Sequence, residues 1–378
     1  MNITYVIGNG FDLALGLHTS YEDFLKEFSK RDFKPGSYSA MLQNEIKEQG
    51  LKNWSDLELK FGQLTYSQKP IETFHAYLDV LQSAFATHLE NEEDRFVLPK
   101  KDWHEIGERF CSDLLNIGRY MGHAKQERYY TFNSSSSLAM NFINFNYTRT
   151  LKDLCHVHKD RNNSFKAVLH GGVEKDVKVN EVCHVHGTLS KQDFVFGVDG
   201  EDQINDPEIK RYCVQNGFLI KPGADALDGT KNEERAIHIL DNSNSVVLMG
   251  LSYGATDRFW WRKLYDMVLA NRIHLIICPY FKKIEWTSLN KQKRRYLDIQ
   301  CIRKVFENAI DTQKIDRITS KDMASRITVL DVSPVTERDG HDSFFDYFHL
   351  NEIGEKYIVP NKSELLQNMS STSPRRSG

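Results

Sequence analysis

The apolar positions of the chain follow two rhythms. Short, nearly unbroken apolar runs rich in β-branched residues occupy residues 3–7, 138–145, 179–185, 245–249, 273–278 and 327–332. Several end at a glycine or asparagine. A continuous run of that length predicts a strand buried on both faces, as in a parallel sheet. Elsewhere apolar residues recur every three or four positions. Tyr21, Phe24, Leu25 and Phe28 form one helical face behind the capping candidates Thr19 and Ser20. Trp54, Leu57, Phe61 and Leu64 form a second, and Phe74, Leu78, Leu81 and Phe85 a third. Residues 258–269 also read as helix. Strands alternating with helices predict an α/β fold built on a doubly wound parallel sheet.

The rhythm also divides the chain. Residues 31–130 hold helical patterns and no strand-like run, so they read as a large helical insertion. The core then comprises residues 1–30 and 131–332. Residues 333–378 form a C-terminal segment whose end, "SSTSPRRSG", predicts a disordered tail. Within the core, residues 131–137 read as a polar loop and 194–196 as a short strand or loop. Residues 199–235 read as loop-rich and charged.

Composition narrows the class. The chain has 378 residues and 40% hydrophobic content, enough for a substantial core. A formal charge of −3 gives no global attraction to nucleic acid or anionic membrane. One local basic run, Lys291, Lys293, Arg294 and Arg295, is a nucleic-acid candidate or simply a solvated helix face. No apolar run approaches the ~20 residues that span a bilayer. The first residues enter a core strand directly, and the six cysteines (Cys111, Cys155, Cys183, Cys213, Cys278, Cys301) are scattered. Reduced thiols and a cytoplasmic location are expected, with no membrane partner.

The chemistry lies where strands end. Gly8-Asn9-Gly10, Asn146, His186 and Ser252 each follow a predicted strand directly or almost so. Open parallel sheets bind ligands outside the carboxyl ends of their strands, so these residues should converge on one site. The glycines do not make a dinucleotide fingerprint: its third glycine would fall on Leu13, and the next is Gly16. The loop can still offer backbone N–H groups to a phosphate, or be a plain turn.

Other motifs have bland readings. Cys-His-x-His occurs twice, at Cys155–His158 and Cys183–His186. The second pair of histidines shares a strand face, but the first copy follows a helical pattern, where residues two apart diverge. No metal is expected. His184 should pack against the sheet. Ser55 and Glu58 have capping-box spacing, although Glu58 could also reach the site. Asp257 could cap the helix that begins near Arg258.

These residues carry a resemblance. "GNGFDLALGL" resembles the glycine loop of sirtuins, with Gly8, Gly10 and Gly16 in register and Asp12 at the sirtuin serine. "NFNYT" places Asn146 on a sirtuin asparagine. His186-Gly187 resembles the sirtuin catalytic His-Gly, and Gly250-Leu251-Ser252 its cofactor-contacting G-T-S. The fuller set, "IGNGFDLALGL", "W.DLE", "FNYT.TL", "H.HG", "FG.D" and "G.SYG..D", resembles the AbiH family of phage abortive-infection proteins, with a sirtuin-like core.

The resemblance implies anti-phage defence and a nucleotide substrate, NAD. Gly8, Asn9, Gly10, Asp12, Gly250, Ser252 and Asp257 would contact it. His186 would act as base and Asn146 would orient water and ribose. The four-cysteine zinc ribbon of sirtuin deacetylases has no counterpart here, which points away from deacetylation and toward hydrolysis at the nicotinamide–ribose bond. Two alternatives remain: a non-hydrolysing NAD or ADP-ribose sensor, and a toxin that acts on nucleic acid through residues 291–295. A phage-derived trigger is expected as partner.

Overall fold

The computed structural model describes residues 1–54, 56–64, 70–121, 123–132, 137–155, 163–169, 172–191, 193–222, 229–278, 291–318, 325–330 and 350–360. Its strands are β1 (Asn2–Ile7), β2 (Ser137–Asn144), β3 (Ser164–Leu169), β4 (Val173–His184), β5 (Ser245–Met249), β6 (His274–Ile277) and β7 (Ile327–Val329). They form one sheet in the order β3-β4-β2-β1-β5-β6-β7. Every pairing is parallel except the β3–β4 hairpin. The α/β class, the mostly parallel sheet and its flanking helices agree with the sequence pattern.

The helices are α1 (Gly10–Leu15), α2 (Tyr21–Phe28), α3 (Tyr38–Gln49), α4 (Leu57–Gly62), α5 (Ile71–Glu93), α6 (Trp103–Leu115), α7 (His123–Phe132), α8 (Thr150–Cys155), α9 (Pro207–Asn216), α10 (Asn232–Asp241), α11 (Arg258–Leu269), α12 (Lys291–Phe306), α13 (Thr312–Ile318) and α14 (Leu350–Tyr357). Alternate strand residues feed two cores, as the period of two requires. Ile3, Tyr5 and Ile7 pack with Phe142, Val247 and residues of α1, α6, α8 and α14 on one face. Val6, Ile143 and Leu248 pack with α10, α11, α12 and α13 on the other.

A third apolar cluster lies off these two faces. It joins α2–α5 to Tyr147, Leu189, Phe196, Val198 and Cys213. The helical stretch between β1 and β2 is therefore shared: α6 covers the sheet, while α2–α5 pack on the segments that follow β2 and β4.

Several local expectations need correction. Residues 199–235 hold helix within the loop-rich stretch: they contain α9 and the start of α10, with 223–228 outside the described residues. Asp206 caps α9 by accepting from Glu208 N and Ile209 N, Pro207 follows it, and Gly217 ends the helix with φ 69°. β4 starts at Val173, earlier than the apolar run suggests, because its first half alternates charged and apolar residues on a hairpin with β3. The polar stretch at 131–137 is split: its first residues end α7, its last starts β2, and 133–136 lie outside the described residues. So do His156–His158 and the tail after residue 360. All six cysteines are buried and none is disulfide-bonded. Among the described residues no helix is long and apolar enough to cross a membrane.

Candidate functional site

The chain builds outward from β1 to β2 and β4, then returns across β1 to β5. The ends of β4, β2, β1 and β5 are thus neighbours in space, and β1–β5 is the point where the strand order reverses. His186, Asn146, Gly8–Gly10 and Gly250–Ser252 follow these four strands in that spatial order.

The glycine loop is tightly bound to its neighbour. Gly8 N donates to Met249 O and Gly10 N to Gly250 O, both at 2.9 Å. A Cβ on Gly8 would sit 2.6 Å from Gly250 O, and one on Gly10 2.7 Å from Gly250 Cα. Neither glycine has positive φ. Their absent side chains are explained by this backbone contact, and neither amide is open to a phosphate. Asn9 is partly exposed and its Oδ1 accepts from Thr19 Oγ1 at 2.6 Å.

Asp12 points into the protein. It is fully buried and accepts from Thr148 Oγ1 at 2.6 Å and Thr150 Oγ1 at 2.5 Å. Burial outweighs these two bonds and pushes its carboxyl up to about 6. Asp12 therefore clamps the loop after β2, which carries Asn146, onto α1.

Asn146 sits in that loop. Its backbone N donates to Asn144 Oδ1 at 3.2 Å, and its carbonyl accepts from His184 Nδ1 at 3.1 Å. His184 thus holds the Asn146 turn as well as lining the sheet. The Asn146 amide is 5% exposed, yet neither its Oδ1 nor its Nδ2 has a hydrogen-bond partner.

His186 lies beside this turn, edge-on to Phe145 with ring centroids 5.2 Å apart. Its Nε2 is 2.9 Å from Asp257 Oδ1, an ion-pair distance without the alignment of a good hydrogen bond. Asp257 stands at the head of α11 but makes no capping bond with its side chain. The capping expectation fails because Asp257 is engaged elsewhere: the same Oδ1 takes Lys221 Nζ at 3.1 Å. Burial opposes the charge on Asp257, but Lys221 and His186 outweigh it and hold its carboxyl well below the usual range.

Lys221 also reaches Glu58 Oε2 at 2.8 Å. Burial works against its charge, but Asp257 and Glu58 together hold its ammonium firmly protonated. Glu58 Oε1 in turn accepts from Gly197 N at 3.1 Å and lies 3.0 Å from the Tyr147 hydroxyl. Glu58 is therefore no capping residue. The N-cap of α4 is Asp56, whose Oδ1 accepts from Leu59 N at 3.0 Å; Ser55 lies outside the described residues. Burial first, then Glu58, raises the Asp56 carboxyl to about 6.

A narrow recess opens over this chain of charges, lined by His186, Lys221, Asp257, Asp199, Glu233 and Trp260 among others. Ser252 is exposed nearby on the turn after β5, close to Gly254 and Asp56. No group of three or more His, Cys, Asp or Glu among the described residues is placed to hold a metal ion.

Residues 4–278 match the family model described as Bacteriophage abortive infection AbiH. The chain belongs to the AbiH family. No curated protein matches it. The AbiH match begins in β1 and ends just past β6, so it contains every site residue named above. Membership assigns this AbiH protein a role in bacteriophage abortive infection.

Sequence reasoning brought together His186, Asn146, Asp257 and the glycine turns. It missed Lys221, whose loop offered no pattern. It also missed Tyr147 and Asp56 as site residues, although both stand in the quoted "FNYT" and "W.DLE" stretches.

Proposed function

We propose that this AbiH protein acts in abortive infection by hydrolysing NAD at the nicotinamide–ribose bond. The observation that supports a ligand most directly is the buried, unpaired amide of Asn146. Buried polar side chains nearly always have partners. An exception at the carboxyl end of a parallel strand lies where such sheets take ligands.

The neighbouring pair supplies the chemistry. With Nε2 against Asp257, the nitrogen left for water is His186 Nδ1. Nδ1 takes a proton from water as the oxygen bonds to the ribose C1′. The bond from C1′ to nicotinamide breaks, and its electron pair leaves with the ring nitrogen, so nicotinamide departs neutral. Asp257 stabilises the imidazolium that forms. Asn146 can donate to a ribose hydroxyl and accept from the water. Since the Gly8 and Gly10 amides are engaged, phosphate contacts fall to other groups at these strand ends, of which Ser252 is exposed.

The test is mass spectrometry of NAD incubated with purified protein, with and without extract of phage-infected cells. Equimolar nicotinamide and ADP-ribose are expected, with release ~10²–10⁴-fold slower for His186→Ala. NAD that stays bound and uncleaved in wild type overturns hydrolysis in favour of nucleotide sensing.

A further inference from the structure

We propose that Lys221 is a positioning residue for His186: by sharing Asp257 Oδ1 with the ring, it fixes that carboxylate and offsets the negative charge that would otherwise draw a second proton onto the imidazole. The inference rests on the hydrolytic reading only for its catalytic consequence; the state of the ring is measurable without NAD.

The geometry gives Lys221 no freedom. Leu219 adopts φ 60°, and the chain then pairs with the segment after β4: Val198 N donates to Leu219 O at 2.7 Å and Lys221 N to Val198 O at 2.8 Å. Gly197 is required there, because a Cβ would lie 2.3 Å from Leu219 O. The Lys221 side chain is 7% exposed and its ammonium bridges Glu58 and Asp257. Glu58 is itself held by Tyr147 and Gly197. The ammonium is thus anchored from one side and bears on Asp257 from the other.

The charges around His186 make this bridge matter. Asp257 faces it at 2.9 Å from the head of α11. Asp199, from the loop after β4, and Glu233, from α10, line the same recess. Tyr147, after β2, has its ring centroid 6.3 Å from the imidazole. Glu58, from α4, and Asp56, its N-cap, stand behind Lys221 and the turn after β5. Asp199 is occupied by Arg258. Among the described residues lining the recess, Lys221 is the one Lys or Arg. A carboxylate at ion-pair distance favours the cationic ring, and a cationic ring has no lone pair with which to accept a proton from water. An ammonium on the same oxygen opposes that pull while Asp257 stays 2.9 Å from Nε2.

The test uses the full chain with nitrogen-15-labelled imidazoles, followed by NMR across pH, with His186→Gln to assign the signal. In wild type the neutral ring is expected to carry its proton on Nε2 and leave Nδ1 bare. In Lys221→Met, the ring should hold its second proton to higher pH than in wild type. That variant strands Glu58 as a buried charge, so Glu58→Gln/Lys221→Met is the second variant, with the same upward move expected. Lys221→Arg should follow wild type. In hydrolysis, the ammonium-free variants should lose kcat with KM little changed, and their acid limb should move with the ring.

A wild-type proton on Nδ1, or ammonium-free variants that titrate with wild type, overturns the proposal. Expected NMR with no NAD cleavage removes the hydrolytic reading and keeps Lys221's role. Cleavage with an unmoved titration does the reverse.

Discussion

Gly10 and Gly250 touch backbone to backbone: a Cβ on Gly10 would lie 2.7 Å from Gly250 Cα and 3.1 Å from Gly250 O. The contact joins the turns after β1 and β5, the two central strands where the sheet order reverses. Even one methyl group must push these turns apart. Gly10→Ala should therefore destabilise the fold by about 1–3 kcal/mol, the usual cost of overpacking. Chemical denaturation checks it; an unchanged midpoint would mean that the turns separate freely.

Asn146 sets function against stability. An unpaired buried polar group costs about 1–3 kcal/mol. Asn146→Leu, similar in size and apolar, should raise the melting temperature of the unliganded protein and abolish NAD cleavage. Asn146→Ala combined with His186→Ala should be little slower than either alone, because members of one catalytic unit are not additive. A destabilised, fully active Asn146→Leu would show the amide to be structural.

Asp12 gives stability a pH dependence. Its carboxyl rises from 3.8 to about 6 on folding, first through burial. Between those values the folded state binds more protons than the unfolded one. This contribution is therefore complete below about 3.8 and is lost as pH rises through about 6, amounting to about 3 kcal/mol. Asp12→Asn cannot ionise. It still offers Oδ1 to one threonine and Nδ2 to the other, so its stability should fall less steeply across that window. Denaturation of both proteins at several pH values measures the difference; parallel curves would contradict it.

His184 should behave differently from a plain sheet residue. Its Nδ1 donates to the Asn146 carbonyl. His184→Ala should therefore lower stability and also slow NAD cleavage through the displaced Asn146 turn, whereas Asn146→Leu slows cleavage without the stability loss. Melting and turnover measured on the same samples separate the two effects. A destabilised His184→Ala with full turnover per folded molecule would show that the bond does not position Asn146.

The sheet was legible because buried parallel strands write themselves as unbroken apolar runs: residues 3–7 and 245–249 are β1 and β5 to within one residue. The β3–β4 hairpin was not, since half-exposed strands alternate and their charged positions imitate loop. Yet the glycines before Val173 were a turn signal, and Asp206-Pro207 followed by Gly217 was a readable helix start and stop. The site was legible only where it touches strand ends. His186 and Asn146 are placed by the sheet, which has a sequence period. Lys221 is placed by the left-handed Leu219 and a bridge to Val198, contacts between loops that no local pattern encodes. Gly10 in the sequence suits either a phosphate loop or a plain turn, but its reason for being glycine is a neighbour distant in sequence, which a single sequence does not reveal.

The position of β1 in the sheet bears on how the protein is made. β1 precedes the other strands in the chain, but its partners are β2 and β5. Next to it, α1 packs against the last described helix, where a Cβ on Gly354 would fall 1.9 Å from Leu15 O. Contacts so remote in sequence form slowly and only after the intervening chain exists. A nascent chain stopped before β5 therefore lacks Asp257 and the second wall of the glycine turn, and one stopped before α14 leaves Leu15 uncovered. The strand ends that carry His186, Asn146 and Asp257 therefore come together only once β5 and the head of α11 have been synthesised.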